Sequence, residues 1–313
     1  ERHLSTTLCL MNEFKYFSDF YNSMKILISD GHAHVSPKGL GIRTVAKKFK
    51  EVHGWFIALV SLPPYHYDLT LSYNDLIKSF NLHIEQCKIA KSEGLRVACV
   101  LGLHPALIDR LVRYYQGRRK DLLLYIDRAL NDIERRVKEG VIDGIGEFGR
   151  PHYKALPEVF ALNEYVLINA LNIVHDYSIP IHLHLEDSGL ITVESMNSLI
   201  NLFTRNIVRK YIIFHHASRD ICVNASQRGF SSTITGRKEL IEDIISNLNK
   251  NSLRLVSVES DYIDDPKRPG VVMYPWEIAN EVSKILKDRP YLEDKLHEVL
   301  IDSIVNIYGV NPP

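Results

Sequence analysis

Two histidines two residues apart, His32 and His34, close the stretch Ile26-Leu27-Ile28-Ser29-Asp30-Gly31-His32-Ala33-His34. Side chains alternate faces along a strand, so both imidazoles leave one face if the strand runs through them. A pair so placed at a strand's C-terminal end can chelate one divalent metal, although a His-x-His pair taken alone is as well explained by exposed loop histidines. Further groups recur after other apolar runs: Glu147 in Gly146-Glu147-Phe148-Gly149, His182 and His184, His215 and His216, Glu259 and Asp261. Chance would rarely bring 14 histidines to so many strand ends. Imidazole with carboxylate is a borderline-to-hard donor set, suited to Zn, Mn, Fe or Ni and poorly suited to a structural thiolate site.

Alternation narrows the choice between neighbours. His182 and His184 share a face; His184 lies nearer the open end, which leaves His182 as a buried histidine in need of a hydrogen-bond partner. Only one of His215 and His216 can point inward, and Asp261 shares the parity of Glu259 but stands closer to the mouth. His104, in Gly102-Leu103-His104-Pro105, reads either as a substrate contact or as part of a tight turn in which Pro105 opens a helix. Arg150, His152 and Tyr153 follow the fourth strand, where substrate loops belong, and a solvated surface accounts for them equally well. The aromatics of Pro63-Pro64-Tyr65-His66-Tyr67 are better explained by packing against a neighbouring loop than by a ligand. His53, His83, His175 and His297 fall on helices or their ends and read as structural.

The elements that must position these groups alternate along the chain. Apolar runs predict strands at 26–34, 55–60, 96–101, 142–147, 179–185, 211–215, 229–234 and 255–259. Helical spacing occupies 42–52, 73–93, a long stretch ending at Lys138, then 156–177, 193–207, 239–248, 276–286 and 291–308, with Gly94 and Gly140 as C-terminal stops. Strands apolar on both faces and separated by helices argue for a parallel sheet, and eight such units for a single (β/α)8 TIM barrel with its chemistry at the C-terminal ends of the strands. An open doubly wound sheet is the alternative, but its Gly-rich phosphate signature is missing. The barrel is expected over 24–313, with residues 1–23 as an N-terminal extension packed on the outside or partly disordered.

The order and spacing of these motifs resemble the TatD-related metal-dependent hydrolases of the amidohydrolase superfamily, from Met24 onward. Asp30-Gly31-His32-Ala33-His34 is similar to that family's Asp-x-His-x-His, and Gly102-Leu103-His104-Pro105 to its Gly-x-His-Pro. Gly146-Glu147-Phe148-Gly149 is similar to its Gly-Glu-Ile-Gly, Pro180 with His184 to its fifth-strand histidine, His215-His216-Ala217-Ser218 to its His-Cys-Phe-Ser, and Glu259-Ser260-Asp261 to its Glu-Thr-Asp. The resemblance implies one metal on His32, His34, Glu147 and Asp261, and a second on Glu147, His184 and His215, with Glu147 as the bridge. It implies a water activated by one or two divalent ions, zinc first and Mg, Mn, Ni or Fe as alternatives, with Asp261 taking its proton and His104 orienting the substrate oxygen. The implied reaction is phosphodiester hydrolysis by a deoxyribonuclease. The chain departs from the family at Pro151, where an Asp is usual, at Glu186 in place of Arg, and at Arg219 in place of Gly; these bear on the substrate, not the metal site.

Composition sets the remaining bounds. Lys+Arg and Asp+Glu both number 38, so no strong global field draws nucleic acid or membrane. The basic clusters Lys47-Lys48-Lys50, Arg118-Arg119-Lys120 and Arg135-Arg136 sit in helical stretches away from the strand ends, which leaves room for a divergent amidohydrolase acting on a small amide, lactone or phosphoester. A non-catalytic metal-binding scaffold is the reading from another class, disfavoured because every ligand position is filled. Cys9, Cys87, Cys99 and Cys222 show no CxxC spacing, which reads as a reducing, cytoplasmic setting. No run has the length of a membrane span, the expected partner is a small-molecule or nucleic-acid substrate, and no obligate protein partner is evident.

Overall fold

The computed structural model of the protein describes residues 26–203, 206–267 and 272–313. The expected extension over 1–23 lies outside them. All strand pairs are parallel, and the sheet runs in the order β8-β7-β6-β5-β4-β3-β2-β1-β9. The strands are β1 (Ile28–His34), β2 (Gly54–Val60), β3 (Arg96–Leu101), β4 (Gly144–Gly149), β5 (Ile181–His184), β6 (Ile212–Phe214), β7 (Ser231–Thr235), β8 (Val256–Glu259) and β9 (Tyr262–Ile263). Each is almost wholly buried, as helices on the outside and side chains on the inside require.

The sheet is a closed barrel because its two outermost strands are neighbours in sequence. β8 pairs with β7, and after Ser260 and Asp261 the same segment continues as β9 against Ala33 and His34 of β1. Asp30 fastens this seam: its carboxylate accepts from the Ser260 amide (2.9 Å) and hydroxyl (2.6 Å) and from the His32 amide (3.2 Å). Gly31 permits the close approach, since a Cβ there would meet Ser257 Oγ at 2.7 Å. Gly102 does the same between β3 and β4, where a Cβ would fall 2.5 Å from the Gly146 carbonyl carbon.

Several boundaries differ from expectation. The fourth strand begins two residues late, because the Asp143 carboxylate is committed to the Cys99 amide (2.9 Å) and Lys91 (3.1 Å), and it runs on to Gly149, so Glu147 lies within it. The long stretch before Lys138 is two helices, Pro105–Tyr114 and Arg119–Lys138, parted where Gly117 takes φ +79°. The short strand β9 and the helix Arg219–Gln227 were not read from sequence. Ser72 caps the helix Tyr73–Ser92 by accepting from the Asp75 amide, and His104 caps Pro105–Tyr114 by accepting from the Ala106 amide. No helix among the described residues is long and apolar enough to cross a membrane.

Candidate metal centre

Glu147 is the hub. Its register against β5 slips between Gly146 and Phe148, a bulge that re-aims the side chain into the barrel mouth. A similar irregularity lies between Asp30 and Ala33 of β1, beside His32. Glu147 is 3% exposed, and imidazoles from four other strand ends address its two oxygens. Oε1 lies 2.9 Å from His32 Nε2, 3.2 Å from His215 Nε2 and 3.7 Å from His34 Nε2. Oε2 lies 2.9 Å from His104 Nε2 and 3.9 Å from His184 Nδ1. Asp261, held at φ +50° with its amide on the His32 carbonyl, brings Oδ1 to 3.5 Å from His215 Nε2 and 3.9 Å from His34 Nε2.

Hydrogen-bond partners decide which ring nitrogens are free. His34 Nδ1 lies 2.9 Å from the Val60 carbonyl, which can only accept, so a neutral His34 turns the lone pair of Nε2 toward Glu147. His215 Nδ1 is 2.8 Å from Glu259 Oε2, which leaves its Nε2 facing Glu147 and Asp261. His104 is the opposite case: Nδ1 accepts from the Ala106 amide, so Nε2–H donates to Glu147 Oε2. His184 Nδ1 is buried without a hydrogen-bond partner while facing Glu147. An orphaned buried nitrogen beside a carboxylate is what a missing cation would leave.

Electrostatics point the same way. Burial, then neighbouring imidazoles, hold His32, His182 and His215 well below the usual histidine range and push His184 down to about 2, so these rings are neutral and able to ligate. Burial also opposes protonation of His34, but the hydrogen bond and charge of Glu147, with Asp261, carry it above its ordinary value. Burial would raise Glu147, yet His104, His32 and His34 outweigh it and keep the carboxyl well below its usual value. Burial and the nearby Glu259 push Asp261 well up, and burial pushes Glu259 up to about 7. Among the described residues no Lys or Arg pairs with either acid, and the donor set fits a divalent ion.

The sequence-predicted ligands His32, His34, Glu147, His184, His215 and Asp261 therefore converge, with His104 added. Their grouping differs in one respect from that implied by the resemblance. His215 faces Glu147 Oε1 beside His32 and Asp261, its ring stacked on His32 at 3.6 Å, while His104 rather than His215 shares Glu147 Oε2 with His184. The groups open on a cavity of about 240 Å³ lined also by Pro63, Tyr65, His66 and Arg110. Tyr65 and His66 thus line the mouth and also pack on neighbouring segments as expected, with the Arg110 guanidinium 3.8 Å over the Tyr65 ring and His66 Nδ1 3.3 Å from Asp265 Oδ2. A larger groove of about 400 Å³ lies on the helical shell around Tyr115, Leu122 and Tyr165 and holds none of these groups.

Arg150 and Tyr153 do not line that cavity. Arg150 is committed to Glu186 Oε1 and Ser195 Oγ, both at 2.8 Å, so the Glu186 that departs from the family pattern is its partner. Tyr153 is 38% exposed on the outer rim. His152 and His216, passed over in the ligand choice, gather around His184 at ring distances of 4.6 and 4.9 Å. Asp30, Glu259 and His182 stand in the strand-end motifs of the sequence but are not among its expected ligands, and nothing in the sequence points to Tyr308.

A closed parallel barrel with imidazoles and carboxylates at the ends of β1, β4, β5, β6 and β8 places the chain among (β/α)8-barrel proteins whose chemical groups gather at the C-terminal ends of the strands. Among them, the chain belongs to the family described as TatD related DNase, whose model matches residues 29–309. The uncharacterised protein MJ1127 of Methanocaldococcus jannaschii is 26% identical over 286 residues, 91% of this chain and 96% of that protein. The crystal structure of YjjV, a TatD homologue of Escherichia coli, superposes with a TM-score of 0.62 at 15% identity, covering 90% of this chain and 98% of that one. The phosphotriesterase homology protein of Escherichia coli, solved with phosphate in its active site, gives a TM-score of 0.60 at 11% identity, covering 90% and 98%. These two likenesses concern the fold.

Proposed function

We propose that this protein is a metal-dependent phosphodiesterase acting on DNA, with one or two divalent ions, zinc first among Zn, Mg, Mn, Ni and Fe, held by His32, His34, Glu147, His184, His215 and Asp261. The observation that carries the reading is Glu147, one buried carboxylate whose two oxygens face imidazoles on opposite sides. When bound, a divalent ion supplies a water of lowered pKa and neutralises charge on a phosphoryl oxygen. Asp261 Oδ1, at the cavity's edge, takes the water's proton and returns it to the leaving oxygen. His104 Nε2–H, anchored through Nδ1 to the Ala106 amide, donates to Glu147 and holds that carboxylate in orientation. Tyr65, with Arg110 over its face, offers a flat surface and a positive charge at the entrance.

A second reading, hydrolysis of a small phosphoester, lactone or amide, is favoured by the placement of the basic clusters. Lys50 donates to the Glu93 carbonyl, Arg119 pairs with Glu158, and Arg135 and Arg136 pair with Asp132, all on outer helices. The test is metal content of protein stripped by chelator and reloaded, together with turnover of single-stranded DNA against bis-p-nitrophenyl phosphate, esters and lactones. Two ions per chain with DNA cleavage support the nuclease. Metal with activity on small substrates alone overturns the DNA assignment in favour of the second reading, and no metal with no turnover overturns both.

A further inference from the structure

His182 is fully buried two residues below His184, and the ligand set above makes no use of it. Barrel interiors at this depth are ordinarily filled by branched apolar side chains. An imidazole there loses its hydration and is tolerated when its nitrogens find partners. Both do. His182 Nδ1 lies 2.9 Å from His32 Nδ1, and His182 Nε2 lies 2.7 Å from the hydroxyl of Tyr308. β5 stands four strands from β1 in the sheet, so the first contact crosses the barrel's interior. The second ties it to the last helix, Ser303–Tyr308, where the Tyr308 ring packs against Phe56 at 5.0 Å.

The direction of these bonds follows from His32. Its Nε2, 2.9 Å from Glu147 Oε1 and 3.1 Å from His34 Nε2, is the atom turned to the ligand cluster. To present a lone pair to a bound cation there, a neutral His32 must carry its proton on Nδ1, whereas without a cation Nε2 faces only acceptors, Glu147 Oε1 and the His34 Nε2 lone pair, and carries the proton itself. Two nitrogens 2.9 Å apart share one proton, so with the cation bound His182 Nδ1 accepts, and the proton of His182 sits on Nε2 and is donated to the Tyr308 oxygen; without the cation both bonds run the other way. Each assignment forces the next. His34 and His215 are anchored in the same manner, by the Val60 carbonyl and by Glu259, and a ligating histidine generally donates its second N–H to a fixed acceptor of this kind.

We propose that His182 and Tyr308 form a hydrogen-bonded relay that accepts the His32 Nδ1 proton when a cation is bound and so holds the His32 Nε2 lone pair on the metal side, making His182 a positioning residue. The inference rests on the reading of the cluster as a metal centre. Because zinc affinity and the tautomer of His182 are read separately, failure of the relay is distinguishable from failure of the metal centre.

The test uses His182→Leu, His182→Gln and Tyr308→Phe, each checked for fold by circular dichroism and thermal melting. Zinc dissociation constants are measured by chelator competition, and histidine tautomers by 15N NMR of histidine-labelled protein with and without zinc. Loss of such an outer partner weakens metal binding by roughly 10–100-fold, which is the change expected for His182→Leu. Gln at 182 keeps an acceptor for His32 Nδ1–H and is expected to recover most of the affinity, and Tyr308→Phe to give a smaller loss. In the metal-free wild type the His182 proton is expected on Nδ1, and zinc loading is expected to move it to Nε2. A folded His182→Leu with wild-type affinity overturns the proposal, as does a zinc-loaded wild type whose His182 proton stays on Nδ1. If His182→Leu does not fold, an unchanged tautomer and affinity in Tyr308→Phe overturn the relay. Failure of the wild-type protein to bind zinc overturns the metal centre and the relay with it, whereas zinc binding that His182→Leu and Tyr308→Phe leave unchanged overturns the relay alone.

Discussion

The barrel mouth and the helical shell handle charge in opposite ways. On the shell, acids and bases neutralise one another: Arg135 bridges Asp132 and Glu139, and Glu298 takes both Lys250 (2.8 Å) and Arg254 (2.9 Å). At the mouth, Asp30, Glu147, Glu259 and Asp261 crowd together with imidazoles, most of them neutral, as their neighbours. A protein core tolerates buried acids when something compensates their charge. The shell contains its own compensation, whereas the donor set at the mouth fits a cation from solution. The same chain therefore holds one set of charges for stability and another for binding.

The largest effect that would break this contrast is at Glu147. Glu147→Ala is expected to lose tight binding of at least one metal and to lower hydrolysis by at least about 10³-fold, the scale of a several kcal/mol change in barrier; equilibrium dialysis showing full metal occupancy would remove Glu147 as the bridge. Next, Asp261→Asn is expected to melt at nearly the wild-type temperature while turnover falls about 10²–10⁴-fold, the usual worth of a positioned acid or base. An active variant would require another proton acceptor.

On the shell the expectation is reversed. Glu298→Gln is expected to reduce unfolding free energy by about 1–3 kcal/mol in urea titration, because it leaves partners of a largely buried carboxylate unpaired, while zinc affinity stays unchanged. Although burial works against it, the hydrogen bonds of Lys250 and Arg254 hold the Glu298 carboxyl below its ordinary 4.5. Its stabilisation is accordingly present above pH 4.5 and disappears as acid protonates it below that value. Stability that instead rose on acidification in the wild type relative to Glu298→Gln would contradict the assignment. Arg135→Ala, at an exposed pair, is expected to change stability by less than about 0.5 kcal/mol. A larger loss would mean that the shell network is not a set of independent pairs.

Much of the barrel and its ligands could be read from sequence, since period-two alternation carries His32 and His34 to one face and apolar runs mark the strands. What escaped depends on events that alternation cannot express. The bulge at Glu147 moves a residue from the end of a strand into it, and the kink at Asp261 turns one segment into both β8 and β9. Tyr308 reaches His182 across 126 residues, a distance at which local pattern carries no information. Arg150 follows strand four as a substrate residue would, and only the approach of Glu186 and Ser195 from elsewhere in the chain reveals that it is already engaged.

The seam fastened by Asp30 has a consequence for how the protein comes into being. Asp30 and Ser260 are 230 residues apart, and the ligands His32 and Asp261 flank that same junction. Contacts so distant in sequence form late, after the intervening loops have closed. A chain still emerging during synthesis carries most of the histidines but cannot assemble the complete ligand set until its eighth and ninth strands arrive. Closure of the barrel is thus the step that completes the candidate ligand set.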